Sequence, residues 1–432
     1  MITAIQGIII IFMIVMVIFR FKIGLALYLA YLMLVPYMNV NFSGIPLQWN
    51  FINVFILLFS LYKFKSSGSS LQIDYRPLIP FIIYFVVSLI MMLLQYGVPL
   101  GVELNKWRIQ IMRYLILPFV LWNQMRFDNS SIKLYRNTTI ICIAIASLYG
   151  LILTSMPGLN PYIMLIADAN GETFNSEYAL AFNSGRIFGR ISSVFTHPML
   201  FGLFLGLSLI YIYNNRENIN KYLFIILFII IGLNIMLCGV RSVIGGVGIS
   251  VIYFLLYSKN YKLILITGLI CLVVYNIILS IPDYAAYLGS IADFSNKKQA
   301  VGGSSIEMRL EQFDGCLKEI KDCLFVGKGF AWTDYYHERF GDHPVMLAFE
   351  SLIFVVLCNG GICGLVLWCY MVYRILKYNS KYSGKESVLL NALLIFYLSY
   401  SCITGEYGYM QYFILFYILI LGEKLYKKDN IN

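Results

Sequence analysis

The chain has 432 residues, 60% of them hydrophobic and only 12% charged, with a formal net charge of +10. A soluble protein of this length carries about 25% charged residues, so a soluble enzyme or nucleic-acid-binding domain is excluded and the chain reads as an all-α integral membrane protein. Its nine Cys are scattered with no C-x-x-C pair, and its three His are far apart, so neither a disulfide framework nor a metal site is indicated.

The first apolar run, Thr3–Phe19, is followed by no small-residue cleavage site, so it is expected to be a span rather than a cleaved signal. Runs of the length needed to cross hydrocarbon then recur along the chain. Thirteen candidates fall near 3–19, 23–40, 49–62, 78–96, 109–124, 138–155, 195–213, 222–239, 243–257, 263–281, 350–373, 388–403 and 408–422. The expectation is a bundle of about 12–13 transmembrane helices, in which 23–40 and 243–257 are short enough to be re-entrant. This divides the chain into N-terminal helices (1–155), a first outer loop (156–194), central helices (195–281), a large outer loop (282–347) and C-terminal helices (348–432).

Alternate connections hold Arg20 and Lys22; Lys63, Lys65 and Arg76; Arg126, Lys133 and Arg136; Arg216 and Lys221; Lys259 and Lys262; Arg374, Lys377, Lys381 and Lys385; and Lys424, Lys427 and Lys428. These stretches carry a local net charge of +13, and the rest of the chain carries −3. The positive-inside rule therefore puts these connections and the C-terminus in the cytoplasm, and with thirteen spans the N-terminus outside. The large outer loop contains its own helix. Ser304 and Glu307 form a capping box, and Ile306, Leu310, Phe313, Leu317 and Ile320 follow at helical spacing, with Glu311, Asp314 and Lys318 facing away. Such a helix is expected to lie on the membrane or over a cavity mouth.

Charges at membrane depth are costly and point to function. Arg113 sits inside an apolar run that Arg108 opens; Arg186 and Arg190 end the first outer loop; Arg241 interrupts two apolar runs; Arg309 lies on the loop helix. All six map to the outer side. Each has a bland reading as a snorkelling or structural side chain and a sharper one as part of a cluster gripping pyrophosphate, which the planar guanidinium fork suits. Glu350 opens the span after the large loop, where a carboxylate would accept a proton from an attacking hydroxyl or pair with an arginine. Glu406 reads as interfacial. The Gly-Lys-Gly at 327–329 lacks P-loop spacing.

These residues bring a family into view. Arg190-Ile-Ser-Ser-Val-Phe-Thr-His-Pro198 resembles the Arg-x-x-(Gly/Ser)-x-Phe-x-x-Pro opening of a span in the O-antigen polymerase (Wzy) and O-antigen ligase superfamily. Cys238-Gly-Val-Arg-Ser242 is similar to its small-residue stretch containing Arg, with the usual Ser-Arg order absent. Arg309 followed by Asp322-Cys-Leu-Phe-Val-Gly-Lys-Gly329 resembles its Arg before Pro-Leu-x-Gly-x-Gly, with Asp-Cys replacing the Pro region. Glu350-Ser-Leu, then Gly361-Ile-Cys-Gly364, looks like its next span. Ligases of the superfamily carry His where Glu350 stands and many polymerases carry Glu, so the resemblance leans toward polymerase; His343 fills the ligase role only in a shifted register.

The resemblance implies a metal-independent, cofactor-free glycosyltransferase moving a growing glycan from undecaprenyl pyrophosphate onto a lipid-linked oligosaccharide at the outer leaflet of the bacterial inner membrane. On that basis Glu350 and Arg309 are expected to be catalytic, with Arg190, Arg241, Arg113 and Arg186 on pyrophosphate. Expected partners are undecaprenyl-pyrophosphate-linked oligosaccharide and polysaccharide, membrane lipids, a chain-length regulator and a flippase, and no nucleic acid. The alternatives are an O-antigen ligase acting on lipid A core and a lipid-linked oligosaccharide flippase. A flippase is disfavoured because no paired repeat halves are visible.

Overall fold

The computed structural model describes residues 2–35, 40–42, 45–47, 49–66, 73–156, 159–169, 190–258, 306–382, 384–405 and 408–429. In chain order the helices are α1 (Ile2–Phe19), α2 (Phe21–Leu34), α3 (Trp49–Ser66), α4 (Ile79–Met91), α5 (Leu100–Tyr114), α6 (Ile116–Phe127), α7 (Ser130–Leu153) and α8 (Pro161–Ala169). They continue as α9 (Pro198–Asn214), α10 (Lys221–Leu237), α11 (Arg241–Ser258), α12 (Ile306–Glu319), α13 (Trp332–Phe340), α14 (Leu352–Asn379), α15 (Lys385–Thr404) and α16 (Tyr409–Asp429). Between α2 and α3 a short hairpin, absent from the sequence expectation, pairs Val40–Phe42 antiparallel with Ile45–Leu47. Every predicted span except 263–281, which lies outside the described residues, overlaps a helix, although the helix within 23–40 ends at Leu34 and Val40 is in a strand. Among the described residues four stretches are long and apolar enough to cross a bilayer by length and composition: Arg76–Leu94, Ser130–Leu153, Leu352–Asn379 and Lys385–Thr404. Residues 282–305 of the predicted outer loop, with Ser304 of the capping box, lie outside the described residues.

The run predicted at 109–124 is two elements. Pro118 offers no N–H to the Tyr114 carbonyl one turn back, and the helix breaks at Leu115 into α5 and α6. Arg113 therefore sits at the C-terminal end of the polar helix α5 rather than inside a span. At the centre of the bundle runs α16, buried on every side from Tyr409 to Lys424, as a helix apolar all round must be. It packs against α5, α6, α7, α9 and α15.

The described basic connections gather at one end. Lys22 pairs with Asp128 at 3.2 Å, Arg126 and Arg76 with Asp74 at 3.8 and 2.8 Å, Arg136 with Glu423 at 3.0 Å, and Lys424 with Glu386 at 3.5 Å. Lys424 also donates to Asn214 Oδ1 at 3.0 Å. The sequence alternation thus corresponds to a physical layer. Within it the Arg136–Glu423 pair is the deepest, with side chains 8% and 3% exposed. Removing one member leaves an uncompensated buried charge, which costs about 3–5 kcal/mol. Arg136→Met is expected to lower the thermal unfolding temperature in detergent, and the double variant with Glu423→Leu to recover most of it. If the double variant melts with the single one, the pair is not the source of the loss.

Candidate functional site opposite the basic layer

The opposite end carries a second, smaller core in which Val98, Cys316, Ile320, Trp332, Met346, Phe349, Phe354 and Cys358 are buried together. It docks α12 and α13 onto α14. The packed face of α12 is rotated away from most of the predicted apolar stripe: Gln312 and Cys316 are fully buried together with the predicted Ile320, while Leu310, Phe313 and Leu317 are 63%, 40% and 38% exposed. Gly315 explains the rotation, because a Cβ there would meet Val345 at 2.8 Å, so this face approaches its neighbour closely. Arg309 consequently lies on the packed side.

There Arg309 is held by four acceptors. Nη1 donates to Gln312 Oε1 at 3.2 Å and to the Glu350 carbonyl; Nη2 donates to Glu350 Oε2 at 3.1 Å and to the Ile403 carbonyl at 3.0 Å. Beside it Ser351 Oγ donates to the Cys402 carbonyl at 2.8 Å. Glu350 follows a turn in which Leu347 (φ 51°) and Phe349 (φ 55°) occupy left-handed conformations. Each such residue costs of order 1–3 kcal/mol. An ion pair whose members are 25% and 32% exposed contributes only about 0–1 kcal/mol, so stability alone does not account for this geometry. His343 closes the same turn: its Nδ1 accepts from the Val345 and Met346 amides at 3.1 and 3.0 Å, and its Nε2 lies 3.7 Å from Glu319. It is a structural residue of the turn, and Glu350 is the residue beside Arg309.

Two more of the arginines lie toward the C-terminal turn of α15. Ser250 on α11 donates to the Ala392 carbonyl at 2.8 Å, and Gly246 lies against Phe396. Continuing that antiparallel register puts Arg241, the first residue of α11, level with Ser401. The charge of Arg190 acts on Tyr400, Cys238 and His197. Its segment is also strained, with Ser193 at φ 51°, and is pinned where Asn160 donates to Ser192 Oγ at 3.0 Å and to the Ser193 carbonyl at 2.7 Å. Arg309 thus donates to the C-terminal turn of α15, the charge of Arg190 acts on Tyr400 in the preceding turn, and Arg241 opens a helix level with Ser401; carbonyls at such a helix end favour cations. Arg108 is apart, donating to Asn105 Oδ1 at 2.8 Å on the surface. Arg186 and Glu406 lie outside the described residues.

Arg113 faces a different feature, a cavity of about 410 Å³ between α4, α5, α13 and α14. Its wall mixes Arg113, Lys106, Gln110, Asn359 and Asp334 with Phe330, Tyr84 and Trp368, and it reaches Leu352, two residues from Glu350. A smaller hollow shares Lys106, Thr333 and Asp334 and extends to Phe349. Aromatic faces with amides and one carboxylate are the surface a sugar ring fits. Sequence reasoning did not find Lys106, Gln110, Asp334 or Asn359, because Lys106 and Asp334 lie in polar stretches and Gln110 and Asn359, though inside the runs 109–124 and 350–373, carry no charge to mark them.

The Gly-Lys-Gly at 327–329 also acquires a purpose. Helix α14 breaks at Gly361 (φ 60°, ψ −155°), and the 324–330 segment fills the break. The Ile362 and Cys363 amides donate to the Leu324 and Phe325 carbonyls at 2.9 Å each, and the Lys328 amide donates to the Cys358 carbonyl at 2.8 Å. Cys316 and Cys358 bring their Sγ atoms to 3.5 Å, both as free thiols, a proximity that their sequence spacing gave no hint of.

Glu103, in the first turn of α5, holds the same segment: its Oε1 accepts from the Phe330 amide at 2.8 Å. Burial outweighs that hydrogen bond and pushes its carboxyl pKa from 4.5 up to about 7. Between those values the folded state holds more protons than the unfolded, so stability falls as pH rises from 4.5 through about 7 and then levels. Glu103→Gln keeps the acceptor oxygen and is expected to flatten that slope, worth roughly 2 kcal/mol across the window. Melting curves in detergent at pH 5 and pH 8 check this, and an unchanged slope counts against it.

Comparison with known proteins follows from this geometry. Residues 226–369, about a third of the chain, match the family model described as O-Antigen ligase. No curated protein matches the chain. The matched stretch contains Arg241, Arg309 and Glu350 but neither Arg113 nor Arg190. The match is a likeness of this stretch to the O-antigen ligase family model, and it is compatible with polymerase and ligase alike.

Proposed function

We propose that the protein is a polysaccharide polymerase, transferring a growing glycan from undecaprenyl pyrophosphate to the terminal hydroxyl of a second lipid-linked repeat unit at the outer leaflet. The carrying observation is the pairing of Arg309 with Glu350 at 3.1 Å on a strained turn, with Arg190 and Arg241 toward the same helix end. In this reading the second oxygen of Glu350 receives the acceptor hydroxyl. The acceptor oxygen attacks the anomeric carbon, the bond to the diphosphate breaks, and the proton passes to the Glu350 carboxylate and on to solvent. Polyprenyl diphosphate is a stable anion, so the chemistry needs positioning and charge more than a strong base. Arg190 and Arg241 meet the developing negative charge. Arg309 fixes the carboxylate and adds its own field.

Arg113 is better placed for the acceptor than for the diphosphate, since it faces the cavity with aromatic and amide walls. Polymerase is favoured over ligase because Glu350, not His343, stands beside Arg309, while His343 Nδ1 is engaged within its own turn and its Nε2 faces Glu319 on α12. The test is elongation of a purified lipid-linked repeat unit by the purified protein in the presence of chelator. Polymer from the wild type supports the reading. Single-step transfer to a lipid A core acceptor without polymer would favour ligase, and an absolute requirement for a divalent ion would count against both.

A further inference from the structure

At the basic end of the bundle, the start of α4 and the end of α14 enclose a cleft of about 380 Å³ into which Arg76, Arg374, Lys377 and Lys381 converge. Basic residues at this end are expected from topology alone, but topology does not gather four of them around one hollow. Arg76 is paired with Asp74. Arg374, Lys377 and Lys381 form no ion pair with a carboxylate among the described residues, Asp74 being taken by Arg76 and Arg126. Arg374 is instead held by Tyr370 Oη at 2.8 Å, and Lys381 lies 5.0 Å from the centre of the Tyr378 ring. Neutral rings thus position these cations without cancelling their charge. Like charges held together this way call for an anion, and arginine with lysine suits a phosphate diester.

The shape argues for a lipid. Ile79 and Pro80 give the cleft an apolar wall. From it an exposed apolar stripe runs along α14: Val366, Tyr370 and Tyr373 are 62%, 41% and 55% exposed. At 3.6 residues per turn these three share one face with Lys377. A headgroup seated among the cations would lay its acyl chains along that stripe. We propose that this cleft binds an anionic diacyl phospholipid such as phosphatidylglycerol, phosphate among Arg374, Lys377 and Lys381 and chains against α14. The assignment is independent of the polymerase reading.

The experiment titrates the full-length protein, purified in zwitterionic detergent, with fluorescent phosphatidylglycerol and with phosphatidylcholine carrying the same chains. The wild type is expected to prefer phosphatidylglycerol by at least tenfold. The triple variant Arg374→Gln/Lys377→Gln/Lys381→Gln should lose that preference, since each cation near an anionic lipid is worth roughly fivefold. The variant Lys63→Gln/Lys65→Gln/Lys133→Gln removes as many charges from the same end, outside the cleft, and should retain it. The altered side chains of the cleft are at the surface, and a monodisperse elution profile confirms that each variant is folded. Equal binding of the two lipids, or equal loss in both triple variants, overturns the proposal. So does displacement of the lipid by inorganic phosphate at matching concentration, which would make the cleft a free-phosphate site.

Discussion

Arg309→Ala is expected to lower glycan elongation by about a hundredfold to a thousandfold, the scale seen when a preorganised electrostatic group is removed from a site of charge development. Four acceptors converge on this one guanidinium: Gln312 Oε1, the Glu350 carbonyl, Glu350 Oε2 and the Ile403 carbonyl. Alanine releases all four, so the Glu350 carboxylate loses its orientation while α12 loses its tie to the end of α15. Arg309→Lys offers three donors on a single nitrogen, which cannot reproduce the two-pronged grip, and is expected to recover only a small part of the rate. Because the pair is a quarter to a third exposed, its net contribution to folding is about 1 kcal/mol or less. The prediction is therefore a large loss of rate with a small shift in melting temperature, read from elongation assays and thermal unfolding of the same preparations. Glu350→Gln, which keeps the shape and removes the negative charge, should fall with Arg309→Ala. Full activity in either variant would remove this pair from the reaction.

How much of this was legible beforehand follows from what a one-dimensional pattern encodes. Span positions and the gathering of basic connections were readable because length, hydropathy and charge are properties of single segments. The break between α5 and α6 was readable in principle from Pro118, but the apolar run masked it, and Arg113 was placed in a span instead of at a cavity wall. The helix at 306–319 was found, yet its packed face was misjudged. Hydrophobicity selected Leu310, Phe313 and Leu317, whereas close approach selected the small and polar face of Gly315, Gln312 and Cys316. Arg309 and Glu350 stood out as charges near apolar runs. Their partners did not, because a backbone carbonyl such as that of Ile403 leaves no mark in sequence. The docking of 324–330 into α14 joins segments more than thirty residues apart through main-chain atoms, and only its glycines were visible.

Those glycines set the second large effect. Gly361→Ala is expected to undock the 324–330 segment and abolish activity while leaving every charged site residue in place. At φ 60° and ψ −155° an L side chain is strained by about 1–3 kcal/mol. Space is also lacking: an added Cβ would sit 2.5 Å from the Leu324 carbonyl oxygen and 2.7 Å from the Gly327 amide, both backbone atoms that cannot swing aside. Gly327 meets the mirror condition, with φ 72° and a Cβ position 2.5 Å from the Gly361 amide, so no relaxation of one strand of the contact relieves the other. Moving the segment breaks the bonds from Ile362, Cys363 and Lys328, each worth about 1 kcal/mol net, and frees the first half of α14, which begins two residues after Glu350. Gly360→Ala is the matched control, because its Cβ would meet nothing closer than Met91 Cε at 3.7 Å. Limited proteolysis should then cut within 324–330 in Gly361→Ala and leave Gly360→Ala intact, with elongation lost only in the first. Equal behaviour of the two variants would mean that the break in α14 does not hold the site together.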